Sequence, residues 1–304
     1  MISVVIPLYN KEQHIAKTLQ SVFAQTYTDY EIVIVNDGST DNSAAVVKAI
    51  NDPRIRLINQ ANAGVSSARN KGIKEAKGEY VALLDADDEW KPEYLETIAD
   101  MVEKYSDCSV FATNYTHIAP DGHEFPTIIN NIRFNGYDGR LLNYFEVASY
   151  SHPPLWTSAV CATKQAFEAI GGFPLGIKSG EDLLTWARFA CRYKIAYCIK
   201  PLAIFNVEGF KIGEKPKRIP AKVDVVGNEL LSLYQEYKAP FLKNYISLWH
   251  KMRSSSYLRL GYRRKSINEA FKALKYNPSN YKLYAYIMLN LLPSKLQKYI
   301  TKSV

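Results

Sequence analysis

Residues 79–90 read EYVALLDADDEW. Tyr80-Val81-Ala82-Leu83-Leu84 is an apolar run of the kind that forms a buried strand, and it stops abruptly at Asp85, Asp87 and Asp88. Clustered carboxylates raise one another's pKa and cost stability unless a positive charge neutralises them. A hard divalent cation such as Mg²⁺ or Mn²⁺ is the simplest neutraliser, because it takes oxygen ligands and is commonly held by one or two carboxylates plus phosphate groups. The end of a strand is also where open α/β sheets keep their ligands. Taken alone, the same stretch also reads as an acidic turn capping the helix after Lys91-Pro92, since acids favour helix N-termini.

Working outward towards the N-terminus, Ile2-Ser3-Val4-Val5-Ile6-Pro7 and Tyr30-Glu31-Ile32-Val33-Ile34-Val35 are further strand-like runs, and Ile55-Arg56-Leu57-Ile58 is a third. Between them Ile15, Leu19, Val22 and Phe23 recur at helical spacing, and Ala44 to Ile50 forms a second helix. A further helix follows residues 62–70 and ends at Gly78. Alternating strands and helices predict a mostly parallel central sheet flanked by helices, joined by right-handed crossovers. The strand ends after Ile6, Val35 and Leu84 would then bring Tyr9, Asp37 and Asp85/Asp87 to one edge.

Towards the C-terminus, Lys91 to Tyr105 predicts an amphipathic helix and Ser109 to Asn114 a strand. Residues 116–152 fit no regular element, with turn signals at Pro120-Asp121-Gly122 and Asn135-Gly136. Leu155 to Ala162 and Ala196 to Ile199 read as strands, Lys164 to Ile170 and Leu183 to Tyr193 as helices. After residue 210 the pattern is helical, over Val223 to Tyr237, Pro240 to Leu260, Lys265 to Tyr276 and Lys282 to Leu292. Tyr257 to Leu283 looks like one tetratricopeptide-type hairpin, and a single copy reads as a packed helix pair rather than a peptide-binding array.

The 304 residues allow one large domain or two modest ones, and 47% hydrophobic with 22% charged residues suits a folded globular chain. No apolar run approaches the eighteen or so residues of a membrane span, and Met1 to Leu8 reads as a first strand rather than a signal peptide. Cys108, Cys161, Cys191 and Cys198 lack metal-type spacing, which predicts reduced thiols in a cytoplasmic protein. Residues 1–210 carry 19 Lys and Arg against 25 Asp and Glu, a net of −6. Residues 211–304 carry 19 against 5, a net of +14, so two regions, 1–210 and 211–304, are expected to meet different partners.

In order and spacing, SVVIPLYN (3–10), EIVIVNDGSTD (31–41), NAGVSSARNKGI (62–73), GEYVALLDADD (78–88), GGF (171–173) and GED (180–182) resemble the family 2 inverting glycosyltransferases. The resemblance covers about the first two thirds of the chain and implies a GT-A fold followed by an unmatched helical region. It implies a nucleotide-diphosphate sugar donor, with UDP-sugars the first expectation, and a divalent metal, Mn²⁺ or Mg²⁺. Asp37 would accept from the uracil base, beside Pro7 and Tyr9 of the first loop. Arg69 would stand near the diphosphate or ribose. Asp85 and Asp87 match the DxD motif, Asp87 as the more direct metal ligand and Asp85 towards ribose or metal, with Asp88 supporting the loop. Asp182 matches the catalytic base, with Glu181 as its neighbour, because inversion needs a carboxylate to take the acceptor's proton.

Each position has an ordinary structural alternative: Asp37 as an Asx-turn residue, Arg69 as a helix surface charge, Asp182 as a capping acid, and Trp156 and Trp186 as core rather than sugar platforms. His152 matches no metal position. The chain lacks the QxxRW-type motif and membrane spans of processive synthases, so transfer of a single sugar to a glycan or lipid-linked hydroxyl is expected. The basic C-terminal third could rest on anionic lipid at the inner face of the membrane or form a solvated or subunit face. No nucleic-acid motif accompanies its charge. A non-catalytic nucleotide-sugar-binding subunit with the same fold is the alternative function.

Overall fold

The computed structural model describes residues 1–119, 121–207 and 219–292. Four parallel strands, β1 (Ile2–Leu8), β2 (Tyr30–Asp37), β3 (Ile55–Gln60) and β4 (Tyr80–Leu83), lie in the order β3-β2-β1-β4. Every residue of β1 and β2 is buried, which is why their sequences do not alternate. The crossovers carry α1 (Ile15–Phe23), α2 (Ser43–Lys48) and α3 (Val65–Glu75). Helix α3 lies so close to β1 that a Cβ on Gly72 would stand 2.3 Å from Val5 Cγ1, so a larger residue there would drive helix and strand apart.

Beyond β4 come β5 (Glu89–Trp90), α4 (Tyr94–Lys104), β6 (Val110–Ile118), β7 (Glu124–Pro126), β8 (Asp138–Arg140) and α5 (Tyr144–Tyr150). They are followed by β9 (Val160–Thr163), α6 (Lys164–Ala169), α7 (Glu181–Arg192) and β10 (Ile195–Asn206). The sheet continues as β4-β9-β6-β10-β5. The parallel arrangement returns between β6 and β10, whereas β9 runs antiparallel between β4 and β6. The sheet is therefore mixed, with its parallel part where the strand–helix alternation is clearest.

Several boundaries differ from the sequence reading. The strand expected at 155–162 starts as a 3-10 turn, Thr157–Ala159, and becomes β9 only at Val160. The irregular stretch 116–152 holds the end of β6, β7, β8 and α5. The strand expected to stop at Ile199 runs to Asn206, because β10 shifts register on either side of Pro201 and absorbs the proline there.

The chain divides into two compact units, Met1–Val147 with Ser151–Glu208, and Ala148–Tyr150 with Gly209–Val304. The boundary expected between 210 and 211 lies outside the described residues, as does Pro120. The second unit contains α8 (Val225–Tyr237), α9 (Leu242–Arg259), α10 (Arg263–Tyr276) and α11 (Tyr281–Leu291). The hairpin read at 257–283 packs Ala270, Ala273 and Leu283 together with Leu274, Tyr286 and Ile287. The Ser254 and Ser266 hydroxyls each donate to the other residue's carbonyl at 2.9 Å, and Asn290 Nδ2 donates to Ser266 Oγ at 2.9 Å, tying three helices.

A second knot holds α8, α9 and α10. Asp224 caps α8 by accepting from Gly227 N–H at 3.0 Å and from Trp249 Nε1 at 2.9 Å. His250 Nδ1 lies 2.7 Å from Glu269 Oε2, Arg253 Nε lies 3.2 Å from the same oxygen and 3.4 Å from Asp224 Oδ2, and Lys272 reaches Glu269 Oε1 at 3.0 Å. Among the described residues, no helix is long and apolar enough to cross a membrane. All four cysteines are free thiols, three of them buried.

Candidate active site

The parallel register sets the level of the site. Pro7 is buried and pairs with Val35, so Tyr9 and Asp37 each follow two residues later at the same edge, and Val5 pairs with Leu83, two residues before Asp85. The loop after β1 is pinned to the loop after β2. Asn10, at φ 51°, accepts from Thr40 N–H at 2.8 Å, and Lys11 N–H donates to Ser43 Oγ at 2.7 Å. The Tyr9 ring is left 47% exposed above this platform.

Asp37 is buried at the end of β2. Its Oδ1 accepts from Gln60 Nε2 at 2.7 Å and Ala63 N–H at 2.9 Å, and its Oδ2 from Gly64 N–H at 2.9 Å. The local Asx-type bond belongs instead to Asn36, whose Oδ1 accepts from Ser39 N–H at 3.1 Å. Of the roughly four lone-pair sites of a carboxylate, Asp37 therefore keeps about one for another donor.

Arg69 of α3 is not a surface charge. It is 5% exposed, donates from Nη2 to both Asp85 oxygens at 2.7 and 3.0 Å, and lies over the Phe173 ring at 5.1 Å. Its Nε is buried with no hydrogen-bond partner. Burial works against its charge, and Asp85, with Asp182 and Glu181 further off, outweighs that and raises its pKa. The arginine thus links the motif after β4 to the one that opens α7, 113 positions later in the case of Asp182.

The three acids after β4 are handled separately. Asp85 N–H donates to Ser158 Oγ at 3.1 Å, and that hydroxyl donates to Asp88 Oδ2 at 2.5 Å. Asp88 is 1% exposed, and burial, reinforced by Asp85 and Asp87, pushes its carboxyl well above the usual range. It is a loop anchor. Asp87 is more open: Lys11 Nζ donates to its Oδ2, and Asn206 Nδ2 donates to its backbone carbonyl at 2.8 Å. A cleft of about 470 Å³ opens on Asp87 and Glu89, with Gln13 and His14 ahead of α1, Lys17 of α1 and Asn206 in its wall. Asp37 and Asp182 are not part of that wall.

Asp182 stands in the first turn of α7, after Gly180, whose φ of 86° is open to glycine and turns the chain into the helix. Its Oδ1 accepts from Leu183 N–H at 2.7 Å. Burial pushes its pKa up, Arg69 pulls it back, and Asp85 adds to the rise. Tyr115 feels the Asp182 charge and stacks on Trp156 with ring centroids 5.4 Å apart. Trp156 and Trp186 both pack into the interior, Trp186 edge-on to Phe173 at 5.7 Å. His152 Nδ1 accepts from Ile128 N–H at 3.0 Å.

The fold thus brings Arg69, Asp85 and Asp182 into one electrostatic group and sets Asp87 and Asp88 in the same loop, while Asp37 occupies a neighbouring place on the sheet edge. As donors, Asp85 and Asp87 suit a hard divalent cation: both are carboxylates, both side chains are 27% exposed, and both face a cation already. Asp224, His250 and Glu269, whose ligand atoms lie within 4.8 Å of one another, suit one poorly, because Arg253 and Lys272 already balance the two carboxylates.

Residues 3–155 match the family described as glycosyl transferase family 2, half of the chain. The chain belongs to that family. It is 31% identical over 268 residues to the glycosyltransferase GlyA of Streptococcus pneumoniae serotype 4, covering 83% of this chain and 37% of that protein. It is 52% identical over 102 residues to the uncharacterized glycosyltransferase YibD of Escherichia coli K12, covering 33% of this chain and 30% of YibD. The chain thus spans only about a third of the length of these curated relatives. Among solved structures, residues 1–349 of S. aureus TarS, in complex with UDP-GlcNAc, superpose with a TM-score of 0.65 at 19% identity. That match covers 99% of this chain and 88% of the TarS fragment, and it establishes the GT-A type of fold.

Sequence reasoning missed Lys11, Ser158 and Asn206. Lys11 lay inside the YNKE segment with no distinguishing spacing. Asn206 was hidden by Pro201, which cut short the strand that carries it. Ser158 sits in a run with a strand's apolar pattern, where nothing in the sequence marks its hydroxyl.

Proposed function

We propose that this member of the family is a metal-dependent inverting glycosyltransferase. It moves one sugar from a UDP-sugar to a hydroxyl of a glycan or lipid-linked acceptor, as in surface polysaccharide biosynthesis. The observation that carries the reading is Asp182: a carboxylate at a helix start, raised by burial, within the field of the Arg69–Asp85 pair. A base with a raised pKa is better matched to taking a hydroxyl proton near neutral pH than an ordinary carboxylate.

In this reading the acceptor oxygen bonds to the anomeric carbon as the bond from that carbon to the diphosphate breaks, and the hydroxyl proton passes to Asp182. Asp37 accepts from the N3–H of uracil, its carboxylate oriented beforehand by Gln60, Ala63 and Gly64. Pro7 shapes the first loop and Tyr9 lies along the base. Arg69 holds Asp85 in place through bonds to both of its oxygens, so the carboxylate keeps one position towards ribose and metal. When bound at Asp85 and Asp87, a divalent ion, Mn²⁺ or Mg²⁺, stabilises the charge gathering on the departing diphosphate. The UDP-GlcNAc and UDP carried by the TarS structures support a uridine nucleotide as the donor's handle.

The catalytic work falls to the unit that ends near residue 208, and the basic unit meets the acceptor. Its α11 exposes Tyr281, Tyr284, Met288 and Leu291 along one side, in a region of net charge +14, which supports contact with an anionic membrane surface. The free thiols suit a reducing, cytoplasmic setting.

The test is UDP release from a panel of UDP-sugars with Mn²⁺ and acceptor extract. The wild-type protein is expected to release UDP from one donor or a few, and Asp182→Asn to lose that release while still binding UDP. Binding of UDP-sugars with no turnover of any would favour a nucleotide-sugar-binding subunit instead. Sedimentation with phosphatidylglycerol vesicles, lost at high salt, is the companion test for the membrane contact.

A further inference from the structure

The two carboxylates of the DxD motif are each held by an internal cation, and the two cations are held differently. Arg69 is 5% exposed, binds both Asp85 oxygens and is covered by Phe173. It has nowhere to go. The Lys11 side chain is 34% exposed, sits on the loop after β1, and contacts Asp87 through a single ammonium-to-carboxylate bond. Its backbone is anchored independently, by Lys11 N–H on Ser43 Oγ and by Glu12 N–H on Asp41 Oδ2 at 3.1 Å. The four-carbon stem is therefore free to swing while the loop stays in place.

Asp87 is also built to lose this partner without moving. Its carbonyl is held by Asn206, and the next residue, Asp88, is buried and bonded to Ser158. Asp87 lines the cleft. Lys11 lies 76 positions from Asp87 in sequence, so the pairing is a product of the fold.

We propose that Lys11 is the exchangeable counter-ion of Asp87: it neutralises the carboxylate while no divalent ion is bound, is displaced when one binds, and then pairs with the donor's diphosphate. This rests on the reading of Asp85 and Asp87 as metal ligands. One ammonium thereby opposes binding of the metal alone and favours binding of the nucleotide with the metal. The effect is to make the two arrive together, since the ammonium released from Asp87 is stabilised only where phosphate oxygens receive it.

The test measures two affinities in wild type, Lys11→Met and Lys11→Arg, with a thermal melt to confirm folding. The first is that for Mn²⁺ alone, read from the free-ion resonance; the second is that for UDP at saturating Mn²⁺, read by calorimetry. Lys11→Met is expected to bind Mn²⁺ alone about tenfold more tightly and UDP about tenfold more weakly, a pair of opposite signs that a merely structural lysine would not produce. Lys11→Arg is expected to stay near wild type in both. An unchanged affinity in Lys11→Met for either ligand overturns the proposal. If neither wild type nor Lys11→Met binds Mn²⁺ while both bind UDP, the metal reading beneath it is what has failed.

Discussion

Around Asp85 the sheet edge gathers Asp85, Asp87, Asp88 and Asp182 against Arg69 and Lys11, whereas around Glu269 the helices gather Asp224 and Glu269 against Arg253, Lys272 and His250. The ingredients are alike and the balance is opposite. In the first group acids exceed cations, and burial leaves Asp88 and Asp182 with raised pKa values. In the second, burial alone would raise Glu269, but His250, Arg253 and Lys272 outweigh it and hold the carboxyl down to about 2. A surplus of buried acid costs stability and leaves groups ready to take a proton or a cation; a balanced cluster ties helices together and offers no such capacity.

The sharpest way to break this comparison is Asp182→Asn. Removing the surplus charge should lower sugar transfer about 10²- to 10⁴-fold and leave the melting temperature unchanged or slightly higher. A lower melting temperature with retained transfer would make Asp182 a structural acid. Next in size, Glu269→Gln leaves Arg253 poorly compensated in the helical unit and should cost about 3–5 kcal/mol in urea unfolding. UDP affinity should not change, and if it does, the two clusters are not separate in function.

Acid separates the two groups by sign. The native pKa of Glu269 lies below its ordinary 4.5, so its contribution to stability is complete above that pH and is lost as pH falls towards about 2. Asp88 is raised above 3.8, so it disfavours folding at neutral pH, a penalty that shrinks as pH falls through its native value and is gone below about 3.8. Hydrogen exchange across that range should therefore show protection lost from α9 and α10 between about pH 4.5 and 2. The smallest effect is expected from Ser158→Ala, which strips Asp88 and the Asp85 N–H of a shared hydroxyl and should cost about 1–3 kcal/mol by thermal melting.

Much of the first unit was legible because its strands are short, apolar and buried on both faces. Tyr80 to Leu83 ends in acids whether or not the rest of the sheet is known. The second half was less legible where neighbours decide the outcome. β5 has only two residues and exists because Trp90 and Glu89 find Ala203 and Ile204 across the sheet. Pro201 looks like a stop until the register shift beside it is seen. The helical segments after residue 219 were readable from periodicity. Their knot of Asp224, His250, Arg253 and Glu269 was not, because no spacing distinguishes those residues from a solvated basic face.

By itself the sequence determined the strands of the parallel part of the sheet and the longer helices, because these depend on local periodicity and residue type, and its resemblance to the family pointed to Asp37, Arg69, Asp85, Asp87 and Asp182. Only the tertiary structure decided which charge meets which. Lys11 and Asp87 are 76 positions apart, and Asn206 and Asp87 are 119 apart. The strength of a charge depends on the partners and the water around it, and both are set by the packing of distant segments.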